Sequence, residues 1–312
     1  MNIDWDIEKQ KIWAQTRSVL ENEHLKNKRN GTRTRSYSKF FERMMLNFGV
    51  FLKWIGQYDK GHTNALNIQV NKIELQFNNL PSTFENYKIL HLSDLHLDSD
   101  PELVDSIIKK IKLLEYDLCV ITGDYRHKNY GGINGVSKMM KRLIDVIEAK
   151  DGVLATLGNH DTYLMVDAFA NPKLEFLNNR SVYIKKADQQ ICITGIDDVH
   201  SYYTDQAVVE LEEERDGFKI ALVHSPELFD VAAENAYRLY LCGHTHGGQV
   251  CLPSGKALIK HLYNGKEYVK GLWKYKGMFG YTNTGAGTSG IPVRINSQSE
   301  LAIFTLLSKN EE

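Results

Sequence analysis

The chain has 312 residues, of which 42% are hydrophobic and 25% are charged, and its 38 Lys and Arg nearly balance its 39 Asp and Glu. This composition is ordinary for a globular protein, and it excludes collagen-like, disordered and multi-span membrane chains. The length allows one large domain or two small ones, and a single α/β domain can fill most of it.

The cysteines and the N-terminal residues indicate a reducing compartment. The first ten residues include acids and lack the apolar stretch of a secretory signal. The four cysteines have no paired spacing, so we expect buried, reduced thiols and no disulfide framework. They are Cys119, Cys192, Cys242 and Cys251. We therefore expect a cytoplasmic protein.

The near-neutral total charge hides a basic segment. Residues 26–60 contain nine Lys or Arg against two acids, a net charge of +7, which leaves −8 for the rest of the chain. Bulky apolar residues recur there at three- and four-residue steps, which predicts an amphipathic helix. They are Phe40, Phe41, Met44, Met45, Phe48, Phe51, Leu52 and Ile55. The apolar stretch is shorter than the roughly 20 residues that span a bilayer.

Two interpretations of this helix stay open. Its apolar face can pack on the protein's own core, as it does in most amphipathic helices. Alternatively, Trp54 and the phenylalanines can lie at the boundary of an anionic membrane, with the cations over the lipid headgroups. We expect residues 1–64 to form a helical arm and residues 65–312 to form the catalytic domain.

From residue 65 onward the pattern is that of an α/β domain. Residues 67–76 alternate apolar and polar side chains, which predicts a strand with one wet face. Short apolar runs then alternate with two helical patterns, at residues 103–114 and 136–147. Such alternation of strands and helices is typical of α/β architecture.

Five apolar runs end directly in polar clusters, and these clusters predict a metal site. In open α/β sheets, ligands bind beyond the carboxyl ends of the strands, so we expect the clusters to meet at one rim. Their imidazole, carboxylate and amide groups are ligands of divalent metals. In chain order the clusters are Asp94-Leu95-His96, Gly123-Asp124, Gly158-Asn159-His160-Asp161, His224 and Gly243-His244-Thr245-His246.

These blocks resemble the ordered motifs D-x-H, G-D, G-N-H-[DE], H and G-H-x-H of the calcineurin-like metallophosphoesterases. All five are present without a substitution, and the resemblance covers residues 86–306. It implies a four-layer α/β/β/α fold, in which a two-sheet β-sandwich is flanked by helices. It also implies two divalent metal ions, and the mixed nitrogen and oxygen ligands suit Mn, Fe or Zn better than Ca.

The family pattern assigns the ligands residue by residue. One ion is expected on Asp94, His96, Asp124 and His246. The second is expected on Asp124, Asn159, His224 and His244, with Asp124 bridging, since a carboxylate has two oxygens for two cations. The implied reaction is hydrolysis of a phosphoester or pyrophosphate by a hydroxide held between the ions.

The resemblance also implies catalytic roles beyond the metals. His160 is expected to bind a phosphoryl oxygen or to protonate the leaving oxygen, and Asp161 to accept its other N–H and fix the tautomer. The glycines before Asp124, Asn159 and His244 are expected to let the chain turn beside the ions.

Several residues outside the ligand set have two possible interpretations. Arg126 and Arg294 are candidates to pair with substrate phosphate, against the alternative of surface salt bridges. His91 is expected to be a core histidine. His127 and His200 are candidate pocket residues without an assigned role.

A narrower resemblance concerns the substrate. Gly247-Gly248-Gln249, Gly285–Ser289 and Pro292-Val293-Arg294 are similar to segments of bacterial membrane-associated phosphodiesterases, including the UDP-2,3-diacylglucosamine pyrophosphatases of lipid A synthesis. This implies a nucleotide-linked lipid as substrate and a peripheral place on the inner face of the cytoplasmic membrane.

Two alternatives to the lipid substrate are kept. One is a soluble phosphodiesterase acting on nucleotides or small phosphodiesters, and the other is a non-catalytic scaffold, against which the intact ligand set argues. Basic residues also attract nucleic acid, but the bulky apolar stripe favours lipid. No protein partner is expected.

Overall fold

The computed structural model describes residues 3–29, 34–258 and 260–309, with side chains from residues 7 to 26 and from residue 43 onward. Two mixed sheets of six strands form its centre. In spatial order the first contains β1 (Gln69–Phe77), β12 (Glu300–Ser308), β2 (Tyr87–Leu92), β3 (Leu118–Thr122), β4 (Val153–Thr156) and β5 (Leu174–Phe176). The second contains β10 (Gly271–Tyr275), β11 (Met278–Thr282), β9 (Leu239–Cys242), β8 (Phe218–Leu222), β7 (Gln189–Gly195) and β6 (Arg180–Lys186).

The apolar runs that precede the polar clusters form the parallel centres of these sheets. Strands β2, β3, β4 and β5 pair in parallel, as do β7, β8, β9 and β11. Parallel strands that are covered on both faces consist of continuous apolar residues, which explains why these runs do not alternate. The strand predicted at residues 67–76 is confirmed as β1.

Successive side chains of one strand enter different layers of the core. Val120 of β3 packs between the two sheets, whereas Ile121 packs under helices α4 (Leu103–Ile111) and α5 (Asn134–Asp145). In the second sheet, Leu222 faces the first sheet and Ala221 lies under α7 (Asp205–Glu212) and α8 (Phe229–Glu234). The expected two-sheet sandwich flanked by helices is therefore confirmed, and α4 and α5 are the two predicted helices. The four cysteines are buried and free.

Three helices precede the first strand: α1 (Ile3–Arg29), α2 (Thr34–Trp54) and α3 (Tyr58–Leu66). The predicted amphipathic helix is confirmed as part of α2. No sequence pattern indicated α1, because its packed side includes the buried Arg17 and the half-buried Glu21 as well as Trp13. These residues recur every four positions and lie on one side of the helix, but only one of them is apolar. A short helix, α6 (Leu164–Ala168), follows β4.

Helix α2 has apolar residues on two sides. Leu52, with Met45 and Phe48 beside it, packs on Ile291 and Val293, so this side contacts the protein's own core. On the other side Leu46 is 69% exposed, Val50 66% and Trp54 81%. The side chains of Phe40 and Phe41, also part of the predicted stripe, lie outside the described residues. Across the described ranges, no helix combines the length and apolar content needed to cross a bilayer.

Candidate metal centre

The five polar clusters meet where the two sheets face each other at their carboxyl ends. Within the first sheet, the loops after β2 and β3 are joined by hydrogen bonds from Asp94 N to Gly123 O (3.0 Å) and from His96 N to Asp124 O (2.9 Å). The main-chain N–H of His244, after β9 of the second sheet, donates to Asp94 Oδ2 at 2.9 Å. Residues far apart in the chain are thereby brought to one site, as the sequence predicted.

The first group of ligand atoms consists of Asp94, His96 and His246. The Nε2 atoms of His96 and His246 are 3.1 Å apart, and Asp94 Oδ1 lies 3.3 Å from His246 Nε2. Oδ2 of Asp124 lies 3.6 Å from His96 Nε2. These four side chains are the ones expected to hold the first ion.

The second group consists of Asn159, His224 and His244. Asn159 Oδ1 lies 3.1 Å from His224 Nε2 and 2.8 Å from His244 Nδ1, and the two histidine nitrogens are 3.3 Å apart. The same Asp124 Oδ2 lies 3.5 Å from His224 Nε2. One carboxylate oxygen thus faces both groups, while Oδ1 accepts the main-chain N–H of His160 at 2.8 Å. The expectation that the two Asp124 oxygens would be divided between two cations does not match this arrangement.

The hydrogen bonds around the imidazoles fit bound cations. His96 Nδ1 donates to Arg126 O at 2.8 Å, His224 Nδ1 to Thr122 O at 2.7 Å and His244 Nε2 to His261 O at 2.7 Å. Each bond leaves a lone pair on the nitrogen that faces the site. Ligands at 2.0–2.2 Å from one cation are themselves about 3–3.5 Å apart. The buried Asp94 Oδ1, which has no hydrogen-bond partner among the described residues, also needs such a ligand.

The charge states follow from burial and from Asp124. Burial lowers the pKa of His96 to about 3 and also lowers the pKa of His244 and His246, which keeps these ligands neutral. Burial would likewise lower the pKa of His224, but the Asp124 carboxylate beside it outweighs burial and raises it. A cation bound to Asp124 would take the place of the His224 proton.

The ligand loops adopt strained backbone conformations. The φ angles of five ligand residues are positive: Asp94 (49°), His96 (39°), Asp124 (58°), His244 (72°) and His246 (52°). Such conformations cost on the order of 1–3 kcal/mol each outside glycine and concentrate at functional sites. The chain turns at Gly123, where φ is +88°, but Gly243 serves close approach instead, because an added Cβ would lie 2.2 Å from Asp94 Oδ2.

The role expected for Asp161 is wrong. Its Oδ2 accepts the main-chain N–H groups of Asp124 (2.7 Å) and Gly158 (2.8 Å), and its Oδ1 accepts that of Tyr125 (2.9 Å). His160 Nδ1 donates instead to the carbonyl oxygen of His127, at 2.6 Å. Asp161 therefore joins two ligand loops and does not fix the tautomer of His160. The half-buried His160 ring lies 4.9 Å from that of His96.

The substrate role considered for Arg294 is also wrong. Its side chain is fully buried, and its guanidinium donates to main-chain carbonyl groups of the loops around the site. They belong to His246, Thr284, Gly285, Gly287 and Gln298. Arg126 is likewise buried, with Nε bonded to His160 O, so it supports the loop that contains Asn159 and His160. His91 is confirmed as a core histidine, bonded to Thr122 Oγ1 at 2.9 Å.

Aromatic residues line the side of the site that contains His244. The His200 ring lies 4.2 Å from the His244 ring, and Tyr263 stacks on His200 at 4.8 Å and 23°. Glu227 holds both, because its Oε1 lies 3.0 Å from His200 Nδ1 and accepts Tyr263 N at 2.7 Å. Tyr263 is 78% exposed. No sequence motif around residue 263 indicated that Tyr263 lies beside the site.

Arg17 of α1 also contacts the site, and the sequence patterns did not predict this contact. Its guanidinium donates to Gly158 O at 3.1 Å and to Asp161 O at 3.3 Å, so α1 contacts the loop that contains Asn159 and His160. A signal was present only in the four-residue spacing of Trp13, Arg17 and Glu21.

Comparisons with known proteins agree with the geometry. The family model described as "Calcineurin-like phosphoesterase" matches residues 87–248. The metallophosphoesterase YkoQ of Bacillus subtilis is 29% identical over 263 residues, which are 79% of this chain and 93% of YkoQ. YkuE of the same organism is 30% identical over 241 residues, 74% of this chain and 82% of YkuE.

Among solved structures, the calcineurin-like phosphoesterase YfkN of Bacillus subtilis is 16% identical, with a TM-score of 0.40 over 64% of this chain and 81% of that one. The NAD nucleotidase of Haemophilus influenzae has a TM-score of 0.42 at 14% identity, and the match covers 64% of this chain and 45% of that one. The extent of the family match and the identity with YkuE together show that this chain belongs to the calcineurin-like phosphoesterases, a family of divalent-metal-dependent hydrolases.

Proposed function

We propose that this protein hydrolyses phosphodiester or pyrophosphate bonds with two divalent ions, Mn, Fe or Zn, held by the two ligand groups. The observation that carries the proposal is the position of Asp124 Oδ2, 3.6 Å from His96 Nε2 and 3.5 Å from His224 Nε2. One oxygen so placed belongs to both groups. When bound, the two ions supply an activated water and neutralise charge on the phosphoryl oxygens.

His160 is the candidate catalytic residue. Its Nδ1 is committed to His127 O, which leaves Nε2 to hold a phosphoryl oxygen or to give a proton to the leaving oxygen. The side chain is only half-buried, so it remains accessible from the solvent side of the site. The ring of His127 lies 5.9 Å from that of His96, so His127 forms part of the wall of the site beside the first ligand group.

We further propose that the substrate is an amphiphile presented at a membrane surface. The exposed side of α2 supports this, with Leu46, Val50 and Trp54 flanked by the exposed cations Arg43 and Lys53. Apolar side chains with cations beside them suit the boundary between acyl chains and anionic headgroups.

The position of α2 relative to the ligand loops supports the same idea. Met45 of α2 lies against Gly290, since an added Cβ there would be 3.4 Å from its sulfur. Two residues earlier in that loop, Thr288 O lies 3.3 Å from Nδ1 of His127. A single loop therefore lies between α2 and the wall beside the first ligand group.

The aromatic wall on the other side of the site supports a nucleotide at the polar end of the substrate. Tyr263 has one ring face on His200 and is largely exposed, so it offers a stacking surface for a base next to His244. Our most specific proposal is a membrane-associated UDP-2,3-diacylglucosamine pyrophosphatase that releases a lipid monophosphate and UMP.

A soluble phosphodiesterase acting on nucleotides or small phosphodiesters is the second candidate. The packing of Leu52 on Ile291 and Val293 favours it, because this contact gives α2 a structural role without a membrane. Both candidates use the same metal centre and differ only in whether the substrate is part of a lipid assembly.

Substrate hydrolysis distinguishes the candidates. Mn-loaded protein is incubated with UDP-2,3-diacylglucosamine, with bis-p-nitrophenyl phosphate and with a cyclic nucleotide, with and without detergent micelles. We expect cleavage of the lipid substrate in micelles, its loss in Asp124→Ala and its retention in Asp145→Ala, which removes an exposed acid at the end of α5. Cleavage of the water-soluble substrates alone would contradict the lipid proposal, and a protein that binds no metal would favour the scaffold.

A further inference from the structure

We infer that Arg17 of α1 is a positioning residue for the catalytic loop Gly158–Asp161. This role rests on the proposed function, because Asn159 and His160 matter only if the site hydrolyses phosphate esters. The motif-bearing domain does not contain Arg17, which lies 141 residues before Gly158 in the chain.

The guanidinium holds both ends of the loop with one nitrogen. Nη2 of Arg17 donates to Gly158 O at 3.1 Å and to Asp161 O at 3.3 Å. These two carbonyl groups directly flank Asn159 and His160, the proposed ligand and the proposed catalytic residue. A shift of the guanidinium would therefore change the path of the chain at both residues.

The guanidinium is itself fixed from three further directions. Nη1 donates to Asp197 Oδ1 at 2.5 Å, and Nε donates to Glu21 Oε1 at 3.0 Å. Its face lies 3.7 Å from the centroid of the Tyr202 ring. The side chain is 1% exposed. Arg17 is thus a rigid link between the turn at Asp197 and the catalytic loop.

Other residues of α1 contact the same two regions. Glu21 accepts Thr162 Oγ1 at 2.7 Å and Tyr163 N at 2.9 Å, immediately after the catalytic loop. Trp13 Nε1 donates to Asp197 Oδ2 at 2.8 Å. The packed side of α1 therefore docks through directional polar bonds: those of Arg17 and Glu21 reach residues 158–163, whereas that of Trp13 reaches only Asp197.

The geometry requires arginine. A lysine at this position would keep the charge but present one point donor group, which cannot replace a planar fork bonded on several sides at once. A misplacement of about 1 Å at a reacting group costs on the order of 10²-fold in rate. We therefore expect Arg17→Lys to reduce turnover without removing the fold.

The test compares Arg17→Lys with Trp13→Phe, a control that keeps a ring and removes one bond to the same Asp197. Steady-state rates are measured with bis-p-nitrophenyl phosphate at saturating Mn, and hydrogen exchange of residues 157–163 is measured in metal-free protein. Arg17→Lys should lower kcat by about 10- to 100-fold with KM changed less than about 3-fold, and should speed exchange of that segment at least about 10-fold. Trp13→Phe should leave both kcat and the exchange of residues 157–163 unchanged, even if its Tm falls as much as that of Arg17→Lys.

A second variant keeps the test decisive if Arg17→Lys does not fold. Asp197→Asn removes the negative charge and one of the two acceptor oxygens that anchor the guanidinium and Trp13, without touching the catalytic loop, and it should also speed exchange of residues 157–163. Unchanged exchange in the folded variants, or a parallel loss of Tm and kcat in Trp13→Phe, would overturn the role of Arg17. Because exchange needs neither substrate nor metal, wild-type protein that hydrolyses nothing would contradict the proposed function alone.

Discussion

Nδ1 of His160 donates to the main-chain carbonyl oxygen of His127 at 2.6 Å. Asp161, the next residue in the chain, uses both carboxylate oxygens on main-chain N–H groups of the neighbouring loops. The orientation of the candidate catalytic imidazole is therefore set by the path of the backbone after Asp124. A histidine in this family position need not have a carboxylate behind it to be held in one tautomer.

We predict that His160→Ala keeps its metals and loses turnover. The imidazole is proposed to act on the reacting phosphate and not on the metals, and general acid–base groups typically raise the rate about 10²- to 10⁴-fold. The variant should therefore show a kcat lower by that factor at unchanged metal content, measured by rate assays and elemental analysis on the same sample. Metal loss as complete as in Asp124→Ala would contradict this division of roles.

Asp161→Asn should destabilise the protein. The new amide places an NH2 group against main-chain N–H groups that now donate to a carboxylate, which leaves at least one buried donor without an acceptor. We expect the free energy of unfolding of the metal-free protein to fall by about 1–3 kcal/mol in urea titrations. His127→Ala keeps the carbonyl group that holds His160 and serves as the control. A fully stable Asp161→Asn would contradict the role of Asp161 in joining the two loops.

Gly243→Ala should weaken metal binding. The added Cβ would lie 2.0 Å from Ser93 Oγ and 2.2 Å from Asp94 Oδ2, so the Asp94 carboxylate must move. Displaced outer supports typically cost 10- to 100-fold in metal affinity, which we expect in Mn²⁺ titration calorimetry. Gly132→Ala is the matched control, because its Cβ would meet no atom within 4 Å. Equal affinities in the two variants would argue against the observed approach of the two loops.

Acid should destabilise the native state through His91. Burial lowers its pKa to about 3 from an ordinary value near 6.5, so between these pH values the unfolded chain binds a proton that the native chain does not. Stability contributed by neutral His91 is therefore present above about pH 6.5 and is lost as the pH falls. Between pH 6.5 and 5 the loss approaches about 2 kcal/mol.

His91→Phe removes this titration while keeping a ring beside Tyr281 and Phe304. Urea unfolding of metal-free protein is measured at pH 6.5 and at pH 5. The free energy of unfolding of the wild type minus that of the variant should be lower at pH 5 by about 2 kcal/mol. A difference that does not depend on pH would mean that His91 has the same pKa in the native and the unfolded chain, which would contradict the effect of burial.

The membrane proposal predicts that acids on the exposed side of α2 abolish vesicle binding. Val50→Glu with Trp54→Glu should reduce co-sedimentation with anionic vesicles by at least about 10-fold, because these side chains would have to enter the headgroup region. Hydrolysis of bis-p-nitrophenyl phosphate should not change. Val19→Glu, at a 57% exposed apolar position of α1, is the control. If the wild type, the double variant and Val19→Glu bind vesicles equally, α2 has only its packing role.

The sequence was sufficient to predict β1, the five strands that precede the polar clusters and the convergence of those clusters, because each of the five apolar runs ends in candidate ligands at the carboxyl end of a strand. It did not predict the contacts of α1, since Arg17 and Glu21 dock through polar bonds that leave no apolar periodicity. It also misassigned Asp161 and Arg294, whose residue types suit chemistry but whose hydrogen bonds go to the backbone. Tyr263 reaches the site through a loop, for which no spacing rule exists.

We propose that Asp124 joins two cations into one hydrolytic centre. The most direct test counts Mn per chain and measures bis-p-nitrophenyl phosphate hydrolysis on the same samples of wild-type protein, metal-stripped protein and Asp124→Ala. We predict two ions per chain and hydrolysis only in the metal-loaded wild type, with both lost together in Asp124→Ala. Hydrolysis at the wild-type rate by Asp124→Ala or by the metal-stripped protein would contradict this role of Asp124 and of the metals.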